Sequence, residues 1–282
     1  MPSYVLTMQC ADGPGIVKAT ATGIADVEGN ILENDQFSDP VTGQFCMRTR
    51  FESPIADISN VRQAIDAQTA GFAPTLGIRH EEVQRRAVVM VSSFDHCLAD
   101  LLYRRAHGDI PIEICAVISN HEHCRSLCEQ YGVPYHYVPV TKETKSVAEE
   151  KVLEIVKELD IDLVILARYM QILSDDVCQQ LSGKIINIHH SFLPGFKGAR
   201  PYHRAYERGV KLIGATAHFV TRDLDEGPII EQDVVRVSHA RQVQDLVAIG
   251  RDIERTVLSR AVRLVAEDRV ALVGNRTVIF SQ

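Results

Sequence analysis

The segment Ala87-Val88-Val89-Met90-Val91 constrains this chain most. It is an unbroken apolar run rich in β-branched residues, and it reads as a strand buried on both faces of a parallel sheet. Strand-like runs recur at residues 112–118, 135–138, 163–167 and 185–189, with helical patterns between most of them. That alternation predicts an open, mostly parallel α/β sheet, whose sites form beyond the carboxyl ends of its strands.

Ahead of residue 85 the pattern is different. Residues 4–10, 31–37, 45–51 and 76–83 read as strands with two helical stretches among them, in the order βαββαβ. Asp12-Gly13-Pro14-Gly15 supplies a turn, with Asp12 as the expected N-cap and a proline early in the helix, whose Val17, Ile24 and Val27 share one face. Ile58, Val61 and Ile65 mark the second helix, and Asp39-Pro40-Val41-Thr42-Gly43 joins two strands as a hairpin. The charged segment from His80 to Arg86 ends the unit. Two domains are therefore expected, 1–84 and 85–282, which suits 282 residues at about 150 per domain. The last stretch predicts a long helix through Val243, Leu246, Ile253, Val257 and Leu264, then a hairpin turning at Gly274-Asn275.

Composition narrows the function classes. With 30 Lys+Arg against 37 Asp+Glu the net charge is −7, so no nucleic acid partner is expected. No run approaches about 18 uncharged apolar residues, the length a membrane span needs. The most apolar stretch, 163–173, carries Arg168, so no membrane association is expected. Seven cysteines without a repeated C-x-x-C predict reduced thiols in a cytoplasmic protein. Neither G-x-x-x-x-G-K-[ST] nor G-x-G-x-x-G occurs, so neither ATP nor NAD is indicated. His121, His123, Cys124 and Cys128 are all metal-ligand types. However, Cys124, Leu127, Cys128 and Tyr131 fall at the spacing of an inward helical stripe, and Ser119 with Glu122 fits a capping box. Packing is expected there, and no metal centre.

The chemistry concentrates near residue 187. Strand alternation puts Asn187 and His189 on one face and Ile186 and Ile188 on the other. An amide and an imidazole at the end of a buried strand need partners, so the pair is either a satisfied structural network or a site. A further strand at 216–220 leads into Thr221-Arg222-Asp223-Leu224-Asp225-Glu226-Gly227-Pro228, a loop dense in carboxylates. Most such acids are merely solvated. An Asp225 turned toward His189 would unite an amide donor, a tunable proton carrier and a carboxylate base.

Asn187-Ile188-His189, Ser191-Phe192-Leu193-Pro194, the strand from Thr216 and the loop through Asp225 to Gly227-Pro228 together resemble the folate-dependent formyltransferase family, from residue 86 to the end of the chain. The resemblance implies Asn187, His189 and Asp225 as the catalytic trio. It also implies a folate substrate whose pterin lies along Leu166, Met170, Gln171, Ile172 and Leu173, with the later loop contributing Thr221 and Leu224. Arg200, His203 and His218 are further candidates near that site. The amino-terminal unit is similar to an ACT domain of ferredoxin-like fold. This implies a homo-oligomer and an amino-acid effector, methionine or glycine, at Asp12, Gly13 and Gly15.

The fusion of the two units resembles the formyltetrahydrofolate deformylases. It implies hydrolysis of 10-formyltetrahydrofolate to formate and tetrahydrofolate with no cofactor, balancing one-carbon folate pools with a link to purine synthesis. One departure from the transferases supports water as the acceptor. Where they carry a glycine-rich turn for the acceptor phosphate, this chain has Ser92-Ser93-Phe94-Asp95, in which Phe94 would obstruct a phosphate and Asp95 repel it. Two alternatives stay open: a formyltransferase acting on a small amine, and an amino-acid sensor whose second domain serves as a scaffold.

Overall fold

Strand β1 (Ser3–Ala11) is interior to a four-stranded sheet because Tyr4, Leu6 and Met8, each two residues apart, are all fully buried. It is followed by α1 (Ile16–Ala25), β2 (Asn30–Asp39), β3 (Gln44–Glu52), α2 (Ile58–Thr69) and β4 (Thr75–His80), the expected βαββαβ order. The sheet order is β2-β3-β1-β4, antiparallel throughout. Tyr4, Leu6 and Phe51 pack with Ile24 of α1 and Val61 and Ile65 of α2. The helices meet at Gly23, where an added Cβ would lie 2.8 Å from the Ile65 Cα. These coordinates are a computed structural model that describes residues 1–195 and 201–280.

Two local expectations fail in this unit. Asp12 does not cap α1, because its N–H continues the strand connection and donates to the Gly43 carbonyl at 2.8 Å. The helix starts four residues later, with Gly15 at the N-cap in the left-handed region, φ 99°. That start rotates the buried stripe onto Ile16, Thr20, Gly23 and Ile24 and leaves Val17 exposed.

The second unit comprises β5 (Arg85–Val91), α3 (His96–Ala106), β6 (Ile112–Ser119), α4 (Arg125–Gln130), β7 (Tyr135–Tyr137), α5 (Lys145–Glu158), β8 (Leu163–Leu166), α6 (Asp175–Gln180), β9 (Ile185–His189), α7 (Pro201–Arg208), β10 (Leu212–Phe219), β11 (Ile229–Arg236) and α8 (Val243–Ala266). Its sheet runs β11-β10-β9-β8-β5-β6-β7. The strands from β9 to β7 pair in parallel, and β10 and β11 add an antiparallel edge. Val88 and Met90 pack with Val152 and Ile155 of α5 and Val177 of α6, while Ala87, Val89 and Val91 are buried on the opposite face. The sheet is thus covered on both sides, as the unbroken apolar run requires.

The Ser119–Glu122 capping box does not form. Ser119 ends β6 and its hydroxyl accepts from the His121 N–H, so α4 starts later, at Arg125, and Glu122 pairs with Arg125. Cys124 and Cys128 do face inward, and burial pushes their thiols up to about 11 and about 12; His121 and His123 are exposed.

The carboxyl-terminal hairpin, β12 (Val270–Val273) and β13 (Arg276–Ile279), forms around the expected turn. It groups with Met1–Gln84, so the second compact unit is Arg85–Glu267 and does not extend to 282. Val273 and Phe280 cover Cys46 of β3, and Arg269 and Arg276 reach Glu33 and Asp39 of β2. A hairpin with one apolar face needs a sheet to cover, and its sequence does not say which. Among the described residues, no helix is long and apolar enough to cross a membrane.

Candidate active site

The carboxyl ends of β8 and β9 and the loop after β10 enclose a cavity of about 260 Å³. Strand register sets part of its floor. Asn187 on β9 stands directly across from His218 on β10, which brings the Asn187 Nδ2 within 3.2 Å of the His218 Nε2. The His218 Nδ1 lies 2.8 Å from the Phe219 carbonyl oxygen and donates to it, so Nε2 is the bare nitrogen and accepts from Asn187. Burial pushes His218 below its ordinary pKa, against the pull of the Phe219 carbonyl and Asp225, which keeps the ring neutral. The Asn187 amide is thereby oriented, with its second N–H left for a ligand.

Asp225 reaches the same place through its backbone. It holds φ 59°, in the left-handed region that a non-glycine residue occupies at a cost, in a loop pinned where Phe219 N donates to the Pro228 carbonyl at 2.9 Å. Gly227 permits that approach, because a Cβ there would fall 1.8 Å from the Phe219 carbonyl oxygen. The result is a His189 Nδ1–Asp225 Oδ1 contact of 3.2 Å, with both side chains at least nine-tenths buried. Burial opposes the charged form of Asp225, but the His189 hydrogen bond and the neighbouring imidazoles outweigh it, and its carboxyl titrates below the usual range. His189 Nε2 is buried with no hydrogen-bond partner among the described residues. A buried, unpartnered nitrogen on a ring whose other nitrogen is tied to a carboxylate is the mark of a site rather than of a structural network.

The loop after β8 forms another wall. Leu166, Met170, Gln171, Ile172 and Leu173 line the cavity, as do Thr221 and Leu224 across from them. Met170, Ile172 and Leu224 leave half or more of their surface exposed. Such apolar groups around a polar floor suit a flat, partly apolar ligand. Ser92, buried at the end of β5, fixes this loop by accepting from Met170 N at 3.0 Å and donating to the Asn120 side chain at 2.7 Å. His203 is exposed on α7 and is not among the lining residues. Arg200 lies outside the described residues. Asp12, Gly13 and Gly15 belong to the other unit, in the turn before α1, where Asp12 is exposed.

Several residues at this site went unread in the sequence. Arg168 lines the cavity at φ 65°, with its guanidinium 5.1 Å above the Phe94 ring and its Nη1 3.4 Å from Glu254. Glu254 of α8 is 1% exposed and accepts from Tyr202 at 2.6 Å and pairs with His96 at 2.8 Å. Burial opposes its charged form, but His96, Arg168 and Tyr202 hold its carboxyl below the usual range. His190 stacks on His189 with ring centroids 5.2 Å apart, and burial, then Arg168 and His189, push its pKa down to about 3. The available signal was Glu254 itself, a carboxylate on the buried stripe of a helix between Gly250 and Leu258.

The formyl transferase family model matches residues 85–262. A formyltetrahydrofolate deformylase of Corynebacterium sp. (strain P-1) is 48% identical over 279 residues, 98% of either chain. The chain belongs to the formyltetrahydrofolate deformylase family. A crystal structure of a formyltetrahydrofolate deformylase from Burkholderia mallei ATCC 23344 superposes with a TM-score of 0.96 at 42% identity, covering 100% of both chains. Outside the deformylases, a glycinamide ribonucleotide transformylase of Symbiobacterium toebii superposes with a TM-score of 0.67 at 30% identity, over 72% of this chain and 97% of its own. The deformylase relatives therefore share both units, whereas the transformylase matches only part of this chain.

Proposed function

We propose that this chain hydrolyses 10-formyltetrahydrofolate to formate and tetrahydrofolate, with Asn187, His189 and Asp225 as the catalytic residues. The observation that carries the reading is the open Nε2 of His189, whose other ring nitrogen is tied to Asp225 in the same cavity as Asn187. Family membership supports the substrate, and the apolar rim at Met170, Ile172 and Leu224 suits a pterin.

Water, oriented by Asp225, attacks the formyl carbon and gives up a proton to that carboxylate. The resulting oxyanion is held by the free N–H of Asn187 and by Nε2 of His189 when its ring carries both hydrogens. Collapse breaks the bond from carbon to N10, which takes up a proton, and formate leaves. These side chains and water balance the reaction, and it calls on no further cofactor. Phe94, whose ring lies 5.1 Å from the Arg168 guanidinium, follows β5 in the turn where the resemblance to the transferases expects the acceptor phosphate, and its bulk in place of a glycine supports water over transfer. The purified chain is expected to release formate from 10-formyltetrahydrofolate with no amine added; strict dependence on an amine acceptor would reject hydrolysis.

The wider role follows from the products: formate and tetrahydrofolate rebalance one-carbon pools that feed purine synthesis. The seven unpaired cysteines fit a reducing cytoplasmic setting. Methionine or glycine at the turn of Asp12, Gly13 and Gly15, in a homo-oligomer, would couple this drain to amino-acid supply. Calorimetry with either amino acid tests that part, and the absence of binding heat would remove the effector.

A further inference from the structure

We infer that Arg168 is the seat of the formate product, a carboxylate subsite beside the reacting centre. The inference rests on the hydrolytic reading above. Arg168 is 9% exposed, yet its Nε and Nη1 have no hydrogen-bond acceptor among the described residues. Its one carboxylate neighbour among the described residues, Glu254, is already engaged: Oε1 by Tyr202 and Oε2 by His96, leaving Arg168 at 3.4 Å, too long for a good hydrogen bond. A buried guanidinium with open donors is costly to maintain, and a carboxylate is the acceptor that matches it best.

Its position identifies which carboxylate. Arg168 lines the same cavity as His189 and Asp225, where the carbon–nitrogen bond breaks. The anion formed there is born next to the carboxylate of Asp225 and must be drawn off it. Arg168, a lining residue of that cavity, supplies the compensating charge, and His190, pushed down to about 3 by burial and then by Arg168, does not compete for the anion. The folate's own glutamyl carboxylate is the other source of this chemistry. A tail leading to solvent does not suit a side chain only 9% exposed and 3.4 Å from a 1% exposed glutamate.

The test is titration of the full-length protein with sodium formate, read by calorimetry in the presence of tetrahydrofolate and as product inhibition. Arg168→Met is expected to weaken formate binding at least about tenfold, the loss of one charge-assisted contact, with Arg168→Lys intermediate. Glu254→Gln, which removes the competing carboxylate, is expected to tighten it. Acetate should bind less well than formate to the wild type. Equal formate affinity in wild type and Arg168→Met overturns the assignment, as does looser binding in Glu254→Gln should the Arg168 variants not fold. If Arg168→Met raises the folate KM and the effect vanishes with 10-formyltetrahydropteroate, which lacks the glutamate, Arg168 holds the tail and the inference is wrong. Failure of the hydrolytic reading shows separately, as no formate released from the substrate.

Discussion

In the amino-terminal unit, Arg48 is 3% exposed and donates to Glu33 at 2.9 Å, Arg269 reaches the same carboxylate at 3.2 Å, and Asp39 accepts from Thr42 and Arg276, each at 2.6 Å. Around the cavity of the second unit, His189 Nε2 and two nitrogens of Arg168 are comparably buried and have no partner among the described residues. Both regions take charged groups out of water, so burial alone does not separate them. What differs is completion: a closed set of partners holds a sheet together, while donors left open at the ends of strands await a ligand.

Substitutions can break that comparison. Asp225→Asn is expected to cost the most, a fall in kcat of about 10² to 10⁴-fold with folate KM little changed, because the proposed base is lost while the apolar wall proposed for the pterin stays. Steady-state kinetics decides it, and near-normal turnover removes Asp225 from the mechanism. Asn187→Ala should lower kcat by about 10² to 10³-fold, the weight of one oxyanion donor. On the closed side, Glu33→Gln should lower stability by about 1–3 kcal/mol in denaturant unfolding while leaving kcat unchanged. A kinetic effect there would erase the distinction between the two regions.

The smallest effect is a pH slope. His190 titrates at about 3 in the folded chain against an ordinary 6.5, so below pH 6.5 the unfolded chain binds a proton that the folded one refuses. Stability contributed above pH 6.5 is lost as the pH falls toward 3. His190→Asn should flatten that loss by about 1 kcal/mol near pH 6, measured as unfolding free energy against pH.

The same contrast explains what could be read in advance. Period-two spacing put Asn187 and His189 on one face because strand geometry is local, and the unbroken run from Ala87 to Val91 announced a sheet covered on both sides. Asp225 is one of several acids in its loop, so the local pattern left its turn toward His189 open and the family resemblance singled it out; that approach depends on a left-handed backbone and on Gly227 lying against Phe219. Arg168 is a lone charge in an apolar stretch and Glu254 one of several charges on a long helix, so their approach is a product of tertiary packing that neither local pattern shows. The Asp12 cap failed for a similar reason, as a hydrogen bond to Gly43 across the sheet displaced a local preference. The last hairpin formed where its Gly274-Asn275 turn indicated, but the sheet it covers is chosen by Val273 and Phe280 fitting over Cys46.

Hydrolysis at the formyl carbon is tested most directly by turnover in ¹⁸O-labelled water with no amine present. Each formate is predicted to carry one oxygen from the solvent, at the full rate of the wild type and with the rate collapsed in Asp225→Asn. Formate free of solvent oxygen, or a formyl group that leaves the folate only for an added amine, would contradict the account.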